Sequence, residues 1–288
     1  MMVQQIDRKQ LKRDSKALLR TAQVSPMAMT ALYLGLVLVL DAADVLSGGS
    51  AALGIGSLLS TFVSVLTWLV SITLSAGFVL YCMAVRWGER AELLTLFDGF
   101  SFVGKVIGLN IVITVFIALW SMLFVIPGIV AAYRYRFALY NLYENPSIGI
   151  MEALNMSKRQ TFGYKSQLFM LDLSYLGWSI LASVPSMLYS GLLSQELMMD
   201  TMNALDFGSI GAIAFTTGSL NTAILPVWGW VLLTGLWQLA VAIFYLPTYQ
   251  CVELGYFEIA KSTSGVGEGA SPNHQDTRRN GPDGLGGF

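Results

Sequence analysis

Two arginines and one aspartate could do chemistry, because each lies within or beside a long apolar run. Arg134 and Arg136 interrupt the aromatic stretch that follows Pro127 and Gly128, and Asp172 is the only acid inside a clear apolar run. A central arginine costs roughly 2.5–3.5 kcal/mol to insert into a bilayer, so intramembrane arginines normally face a partner or water. On a helix the two arginines point about 200° apart, which makes a shared partner difficult.

Asp172 is therefore the expected partner of one of the two arginines. The pair could be a structural clamp between helices or a substrate site. It could also be a pair of side chains that extend to the membrane surface, as long basic side chains near span ends do. Glu144 and Glu152 complete the candidate polar cluster, because they flank the start of a helix that we predict just after the arginines.

The other familiar catalytic arrangements are excluded by residue type. The single histidine, His274, lies in a Gly- and Ser-rich tail, so the predicted folded part has no histidine triad, metal motif or proton relay. Glycine motifs for phosphate binding or a nucleophile elbow are absent. Cys82 and Cys251 have neither metal-site spacing nor a disulfide framework, and we expect buried thiols. We predict no catalytic residue, cofactor or metal, and no enzymatic activity.

The elements that must position the polar residues are membrane-spanning helices. Of the 288 residues, 55% are hydrophobic and 12% are charged, whereas soluble domains carry about 25% charged residues. A helix needs roughly 20 apolar residues to cross a bilayer. The long apolar runs predict an all-α, polytopic integral membrane protein, with spans near residues 27–46, 58–85, 103–127, 166–189 and 222–246.

The choice between five and six spans depends on Pro127 and Gly128. If the chain left the membrane there, the basic residues of 133–165 would lie outside the cell, against the positive-inside rule. A hairpin turn at Pro127 and Gly128, followed by a short fourth span over residues 129–143, removes this conflict. We therefore predict about six transmembrane helices, with both termini in the cytoplasm and residues 190–221 outside.

The remaining segments complete the predicted domain organisation. Residues 1–26 form a basic N-terminal helix, cytoplasmic or interfacial, that is suited to anionic lipids, although an ordinary solvated flank would carry the same charges. Residues 27–260 form the transmembrane helical domain. Residues 261–288 are rich in Gly, Ser and Pro and are predicted to be a disordered C-terminal tail.

A cytoplasmic linker helix is predicted between the fourth and fifth spans, over residues 145–163. Asn145 is a suitable N-cap, Pro146 suits the first helical position, and Gly163 suits the residue past the end. The helix could be a plain connection or a docking element.

Several short motifs follow one another along this region: Ile-Pro-Gly at 126–128, Arg-Tyr at 134–135, Glu-Asn-Pro at 144–146 and Leu-x-Leu-Ser at 171–174. They resemble the signature of an uncharacterised bacterial membrane family, domain of unknown function 975. Residues 246–260 are similar to the family's closing pattern, with Tyr256 and Phe257 in the other order. The resemblance implies residence in a bacterial cell membrane and no established activity.

These observations favour a non-enzymatic accessory, scaffold or immunity-type protein in the bacterial cytoplasmic membrane. The expected partners are the lipid bilayer, anionic lipids at the N-terminal helix, and a membrane protein or a second copy of the chain, with no nucleic acid and no cofactor. The alternative is a small-solute or lipid transporter, or permease. A transporter should show an internal repeat or two matched broken helices, and the sequence shows one clear break, at Pro127 and Gly128.

Overall fold

The computed structural model describes residues 5–49, 56–204 and 227–267, and the regular structure of these ranges is helical, without a strand. This confirms the all-α prediction. The helices are α1 (Arg8–Thr21), α2 (Pro26–Gly49), α3 (Gly56–Trp87), a 3-10 helix (Leu93–Phe102), α4 (Val103–Leu123), α5 (Val125–Tyr135), α6 (Ala138–Glu144), α7 (Ile150–Gln160), α8 (Lys165–Ala204) and α9 (Val227–Ser264).

Within the described ranges, five helices are long and apolar enough to cross a membrane, judged by length and composition. They match the five long runs predicted from the sequence, so the chain is a membrane protein. The stretches are Pro26–Asp44, Ser60–Trp87, Leu93–Leu123, Lys165–Leu188 and Leu232–Ser264.

The chain divides into two compact units. The first unit contains Met1–Gln23, Ile72–Leu173 and Thr248–Phe288, and the second contains Val24–Ser71 and Ser174–Pro247. The first unit has a well-developed core, in which the Phe137 and Phe257 rings meet edge to face at 5.5 Å between centroids. Both rings are almost completely buried.

The second unit contains a proline inside helix α8. Pro185 has no N–H, so the carbonyl of Leu181, four residues earlier, loses its helical donor. The indole N–H of Trp237 in α9 donates to this carbonyl at 2.9 Å. The tryptophan thus satisfies the acceptor that the proline leaves open and joins α8 to α9.

The chain reverses direction at Phe124, between α4 and α5. Phe124 has extended backbone angles, φ −161° and ψ 151°. Beyond it, Gly128 lies against Ser121, the ring of Tyr135 stacks on Phe116 at 5.8 Å, and Tyr143 meets Phe102 at 6.0 Å. In these three contacts the residue numbers of α5 and α6 increase while those of their partners in and just before α4 decrease. Helices α5 and α6 therefore run antiparallel to α4 along its whole length.

The turn differs from the prediction at Pro127 and Gly128, because these residues lie inside the first turn of α5. Proline is tolerated there, since the first N–H groups of a helix have no intrahelical acceptor. Gly128 is needed for close packing instead: a Cβ atom at this position would collide with the side chain of Ser121.

The predicted fourth span, residues 129–143, is not one continuous helix. It is shared between α5, with 11 residues, and α6, with 7 residues. Neither piece alone can cross a bilayer, because a span needs roughly 20 residues. The number of spans therefore stays a prediction.

Side chains of α7 and of its C-cap, Thr161, satisfy the backbone at the break between α5 and α6. The Ser157 hydroxyl donates to the Arg134 carbonyl at 2.9 Å and accepts from the Phe137 N–H at 3.2 Å. The Thr161 hydroxyl lies 3.2 Å from the same carbonyl. Unpaired backbone groups are costly in apolar surroundings, so α7 makes this break tolerable.

Helix α7 begins later than predicted. Its N-cap is Gly149, whereas Asn145 ends α6 and accepts hydrogen bonds from the backbone and hydroxyl of Ser147. The Asn145 side chain therefore makes a local turn, which is the alternative use of such residues. Gly163 follows the helix with a φ of +84°, as expected of a glycine past a helix end.

Two other helices extend beyond the ends predicted for them. Helix α8 continues to Ala204, into the segment predicted to be an external loop, and residues 205–226 lie outside the described residues. Helix α9 continues to Ser264, past the predicted start of the tail at residue 261. Residues 268–288, with most of the predicted tail, also lie outside the described part.

Candidate functional site

Arg136 is the centre of the polar cluster in the first unit. It is the C-cap of α5, at the break before α6. Its two terminal nitrogens donate to the two oxygens of Asp172, at 2.6 and 3.0 Å, and its Nε donates to Glu253 at 2.6 Å. One terminal nitrogen also contacts the hydroxyl of Tyr249, and the guanidinium lies 5.4 Å from the centroid of the Tyr133 ring.

Asp172 accepts from tyrosines as well as from the arginine. The Tyr133 hydroxyl donates to one carboxylate oxygen at 2.6 Å, and the Tyr249 hydroxyl donates to the other at 2.8 Å. Each oxygen therefore has one donor from Arg136 and one from a tyrosine. A bidentate arginine–carboxylate pair is among the strongest and most directional of charged contacts.

Glu253 is the most deeply buried acid of the cluster, with 6% of its side chain exposed, compared with 17% for Arg136 and 30% for Asp172. The buried hydroxyl of Tyr140 interacts with Glu253 and accepts from the Gln250 amide at 2.8 Å. Burying a charge is costly unless it is paired and hydrogen-bonded. Glu253 meets both conditions.

The structure thus pairs Asp172 with Arg136 and not with Arg134. Arg134 is exposed, and its positive charge acts on nearby Lys165. The two arginines lie on different sides of the helix, as their spacing predicts.

The two predicted glutamates lie elsewhere in the first unit. Glu144 pairs with Lys261 at 2.5 Å, with 8% of its side chain exposed. Glu152 is exposed and accepts from the N–H of Gly149 at 3.5 Å, at the start of α7. An acid in the first turn of a helix is favourable for the helix dipole. Neither glutamate contributes to the network around Arg136.

A second ion pair, between buried Arg86 and half-buried Glu258, joins α3 to α9. Arg86 donates through Nε and a terminal nitrogen to both oxygens of Glu258, at 3.0 and 2.5 Å, and also to the carbonyl of Cys251 at 2.9 Å. A Cβ atom at Gly255 would lie about 3 Å from the Arg86 guanidinium. The glycine therefore leaves room for this pair.

Sequence reasoning missed the contribution of α9. Tyr249 and Glu253 are four residues apart and so face the same side of a helix. An acid in an apolar helix, one turn from a tyrosine, was a usable signal. It was hidden because the last apolar run was taken to end near Leu246.

The Arg136 network joins separate helices of the first unit. It connects the junction of α5 and α6 to α8 and α9, and the nitrogens of Arg136 are occupied by protein acceptors. Within the described residues, no group of three or more His, Cys, Asp or Glu side chains is placed to hold a metal ion. Cys82 and Cys251 are buried free thiols.

Helix α1 carries a separate basic face. Asp7 caps it by accepting from the N–H groups of Lys9 and Gln10, at 2.9 and 3.4 Å. The pKa of Lys12 is lowered by partial burial and then by the positive charges of Arg8 and Lys16, one turn away on each side. Like charges stacked in this way repel each other, so an anion on this face would be stabilising.

Comparison with known families identifies the central segment. Residues 105–204 match the model of a family described as Protein of unknown function (DUF975). Over this segment the chain is similar to that family. The match confirms the resemblance seen in the sequence. The matched residues include α5 and α6, which run back along α4, and also Arg136, α7 and Asp172. No curated protein and no solved structure is significantly similar to the chain.

Proposed function

We propose that the chain is a non-enzymatic accessory protein of a bacterial cytoplasmic membrane, acting through lipid and protein partners. The observation that supports this is the closed network around Arg136. Its arginine and carboxylates bind one another and two tyrosine hydroxyls. A substrate site needs charged groups that can exchange partners with a ligand, whereas a structural clamp needs groups that are already paired.

The test is to replace the network with apolar or neutral groups of similar size. Replacing a buried ion pair in this way is often neutral for stability. The variant would carry Arg136→Met, Asp172→Leu and Glu253→Gln. If the network is a clamp, this variant should fold and should restore the membrane-lipid composition and peptide sensitivity of a strain that lacks the gene.

The matched control is the single change Arg136→Met, which leaves two carboxylates without their cation. It should be poorly folded and should not complement. A folded triple variant that fails to complement would contradict the accessory role, because the charges would then be needed for something other than folding.

A transporter is the second candidate, and the prolines inside α8 and α9 favour it. Pro185 and Pro247 each interrupt the hydrogen-bond ladder of a long apolar helix. Paired interruptions of this kind form substrate sites in many transporters. Flux of solutes or lipid through vesicles containing the purified chain, compared with protein-free vesicles, distinguishes the two candidates; the accessory role predicts no difference.

We also propose a six-span topology with both termini in the cytoplasm. It is supported by the reversal at Phe124, which brings α5 and α6 back along α4, so that Tyr143 lies beside Phe102 at the start of α4. Alkaline phosphatase fusions should be inactive after residue 149 and after residue 267, and active at residues 205–226. An active fusion after residue 149 would show that α5 and α6 do not return across the membrane.

A further inference from the structure

A cavity of about 370 Å³ lies in the first unit, at the start of two helices. One wall is formed by residues 5–9, which lead into α1, and another by Ser166, Gln167 and Met170 at the start of α8. Tyr256 of α9 also lines the cavity. The Arg136 network contributes no residue to it.

Tyr256 is the unexplained group in this cavity. Its side chain is completely buried, and its hydroxyl has no hydrogen-bond partner within the described residues. A buried hydroxyl without a partner costs free energy, and such groups usually mark a water, an ion or a ligand. A phenylalanine would fill the same space without this cost.

The charges around the cavity favour an anion. Arg8 and Lys9 are positive and Asp7 is negative, and the Asp7 carboxylate is already occupied as the N-cap of α1. Arg8 uses one terminal nitrogen to donate to the Met170 carbonyl, at 2.8 Å, which fixes its side chain beside α8 and leaves its other donors available.

The start of α8 adds a second source of positive potential. The first N–H groups of a helix have no intrahelical acceptor, and the helix dipole favours negative charge at this end. Ser166 is exposed and adds a hydroxyl in the first turn. The Gln167 side chain is turned toward the N-terminal segment, where it accepts from the N–H of Ile6 at 3.2 Å.

From this arrangement we propose that the cavity binds a phosphate group, with Arg8 and Lys9 supplying charge and Tyr256 a buried hydroxyl donor. The phosphate is that of an anionic phospholipid headgroup or a free phosphate ion. The site is independent of the proposed accessory role, since a transporter could carry it equally well. It also differs from general attraction of the basic face of α1 to a membrane, because it depends on one tyrosine hydroxyl.

The test measures the melting temperature of the full chain in an uncharged detergent, because a ligand that binds the folded state raises it with concentration. The probes are inorganic phosphate, dioctanoyl phosphatidylglycerol and, as a neutral lipid, dioctanoyl phosphatidylcholine. Sodium chloride at equal ionic strength controls for screening. Stabilisation by the phosphatidylglycerol alone identifies a lipid headgroup site, and stabilisation by phosphate identifies a phosphate-ion site.

Two matched pairs of variants locate the site. Tyr256→Phe and Ser15→Ala each remove a buried hydroxyl without a partner, but only Tyr256 lines the cavity. Arg8→Gln and Arg20→Gln each remove one positive charge of α1, but only Arg8 lines the cavity. Tyr256→Phe and Arg8→Gln should raise the half-saturating concentration at least about tenfold, the effect of a lost charged hydrogen bond. Their controls should change it less than about twofold.

Tyr256→Phe keeps the test decisive if Arg8→Gln fails to fold, because it removes no protein–protein hydrogen bond within the described residues. Three results would overturn the proposal: no stabilisation by either anionic probe, equal stabilisation by chloride, or unchanged binding by Tyr256→Phe. Failure of this test would leave the complementation test of the accessory role unaffected.

Discussion

The two units of the chain differ in what lies between their helices. In the first unit, charged side chains from separate helices meet in buried or half-buried pairs, as Arg136 does with Asp172 and Glu253, and Arg86 with Glu258. In the second unit, the described contacts between helices include aromatic stacking, as of Trp178 on Tyr245 at 6.0 Å, and single hydrogen bonds, as from Trp237 to the Leu181 carbonyl, but no salt bridge among its described residues. Polar pairs are directional, so they specify one arrangement of helices, whereas apolar surfaces tolerate several.

Buried residues show the same difference. The completely buried large side chains lie mainly in the first unit, for example Tyr81, Leu96 and Leu171, and the second unit contributes Met29. Exposed large apolar residues are common in both units, for example Phe124 in the first and Phe244 in the second. Among the side chains whose burial is described, the first unit therefore holds most of the closed interior, and both units present apolar side chains outward.

The largest expected effect comes from removing the cation at the centre of the first unit. Arg136→Met should lower the free energy of unfolding by about 3 kcal/mol, because it leaves the buried carboxylate of Glu253 and the half-buried carboxylate of Asp172 without their cation. Denaturant titration in detergent micelles would measure it. The neighbouring change Arg134→Met should cost less than about 0.5 kcal/mol, because Arg134 is exposed; equal costs would show that the network does not hold the first unit together.

Close helix packing should give the next largest effect. A Cβ atom at Gly77 would overlap the backbone carbonyl of Leu96, whereas one at Gly35, in α2 of the second unit, would meet nothing within 4 Å. Gly77→Ala should therefore destabilise the chain by about 3 kcal/mol. Gly35→Ala should stabilise it by up to about 1 kcal/mol, because alanine is the better helix former. Melting temperatures of the two variants in one detergent would test the contrast between the units.

A smaller effect is expected from the buried amide pair of the first unit. Asn141 and Gln160 donate to each other at 2.8 Å in both directions. Gln160→Leu should cost about 2 kcal/mol, because the Asn141 amide loses a partner while buried. The double variant Asn141→Leu, Gln160→Leu should cost less than the sum of the two single changes. Strict additivity in this double-mutant cycle would rule out coupling between the two amides.

The smallest effect should be in the second unit. Trp237→Phe removes the indole donor from the Leu181 carbonyl and should cost about 1 kcal/mol, the net value of one hydrogen bond. If Pro185 is first replaced by alanine, the carbonyl regains its helical donor, and Trp237→Phe should then cost less. If Trp237→Phe cost the same free energy of unfolding with proline or alanine at position 185, the Trp237 hydrogen bond would not be compensating for the proline.

Much of the architecture could be predicted because it depends on local properties of the sequence. Long apolar runs identify spans wherever they occur, and charge asymmetry led to the idea of a returning segment after α4. A basic helix near the N-terminus was also visible. These features can be predicted from the composition of the sequence, its hydrophobic period and the spacing of its charged residues.

The details of the site needed three-dimensional information. The spacing of Arg134 and Arg136 showed that they face different ways, but only the packing of α5 against its neighbours decides which one meets Asp172. Glu253 was missed because the last apolar run was taken to end near Leu246, which placed this acid beyond the predicted span. The turn was placed three residues late because proline was read as a helix breaker, although it is accepted in a first helical turn.

The hydrogen bonds of Ser157 and Thr161 determine when the break between α5 and α6 can reach its final structure during synthesis. The backbone groups at the break between α5 and α6 are satisfied by residues that follow them by 20 to 27 positions along the chain. When α5 and α6 first leave the ribosome, these partners are still inside it. The break between α5 and α6 therefore reaches its final backbone hydrogen bonding only after Ser157 and Thr161 have emerged, so α5, α6 and α7 mature together during biogenesis.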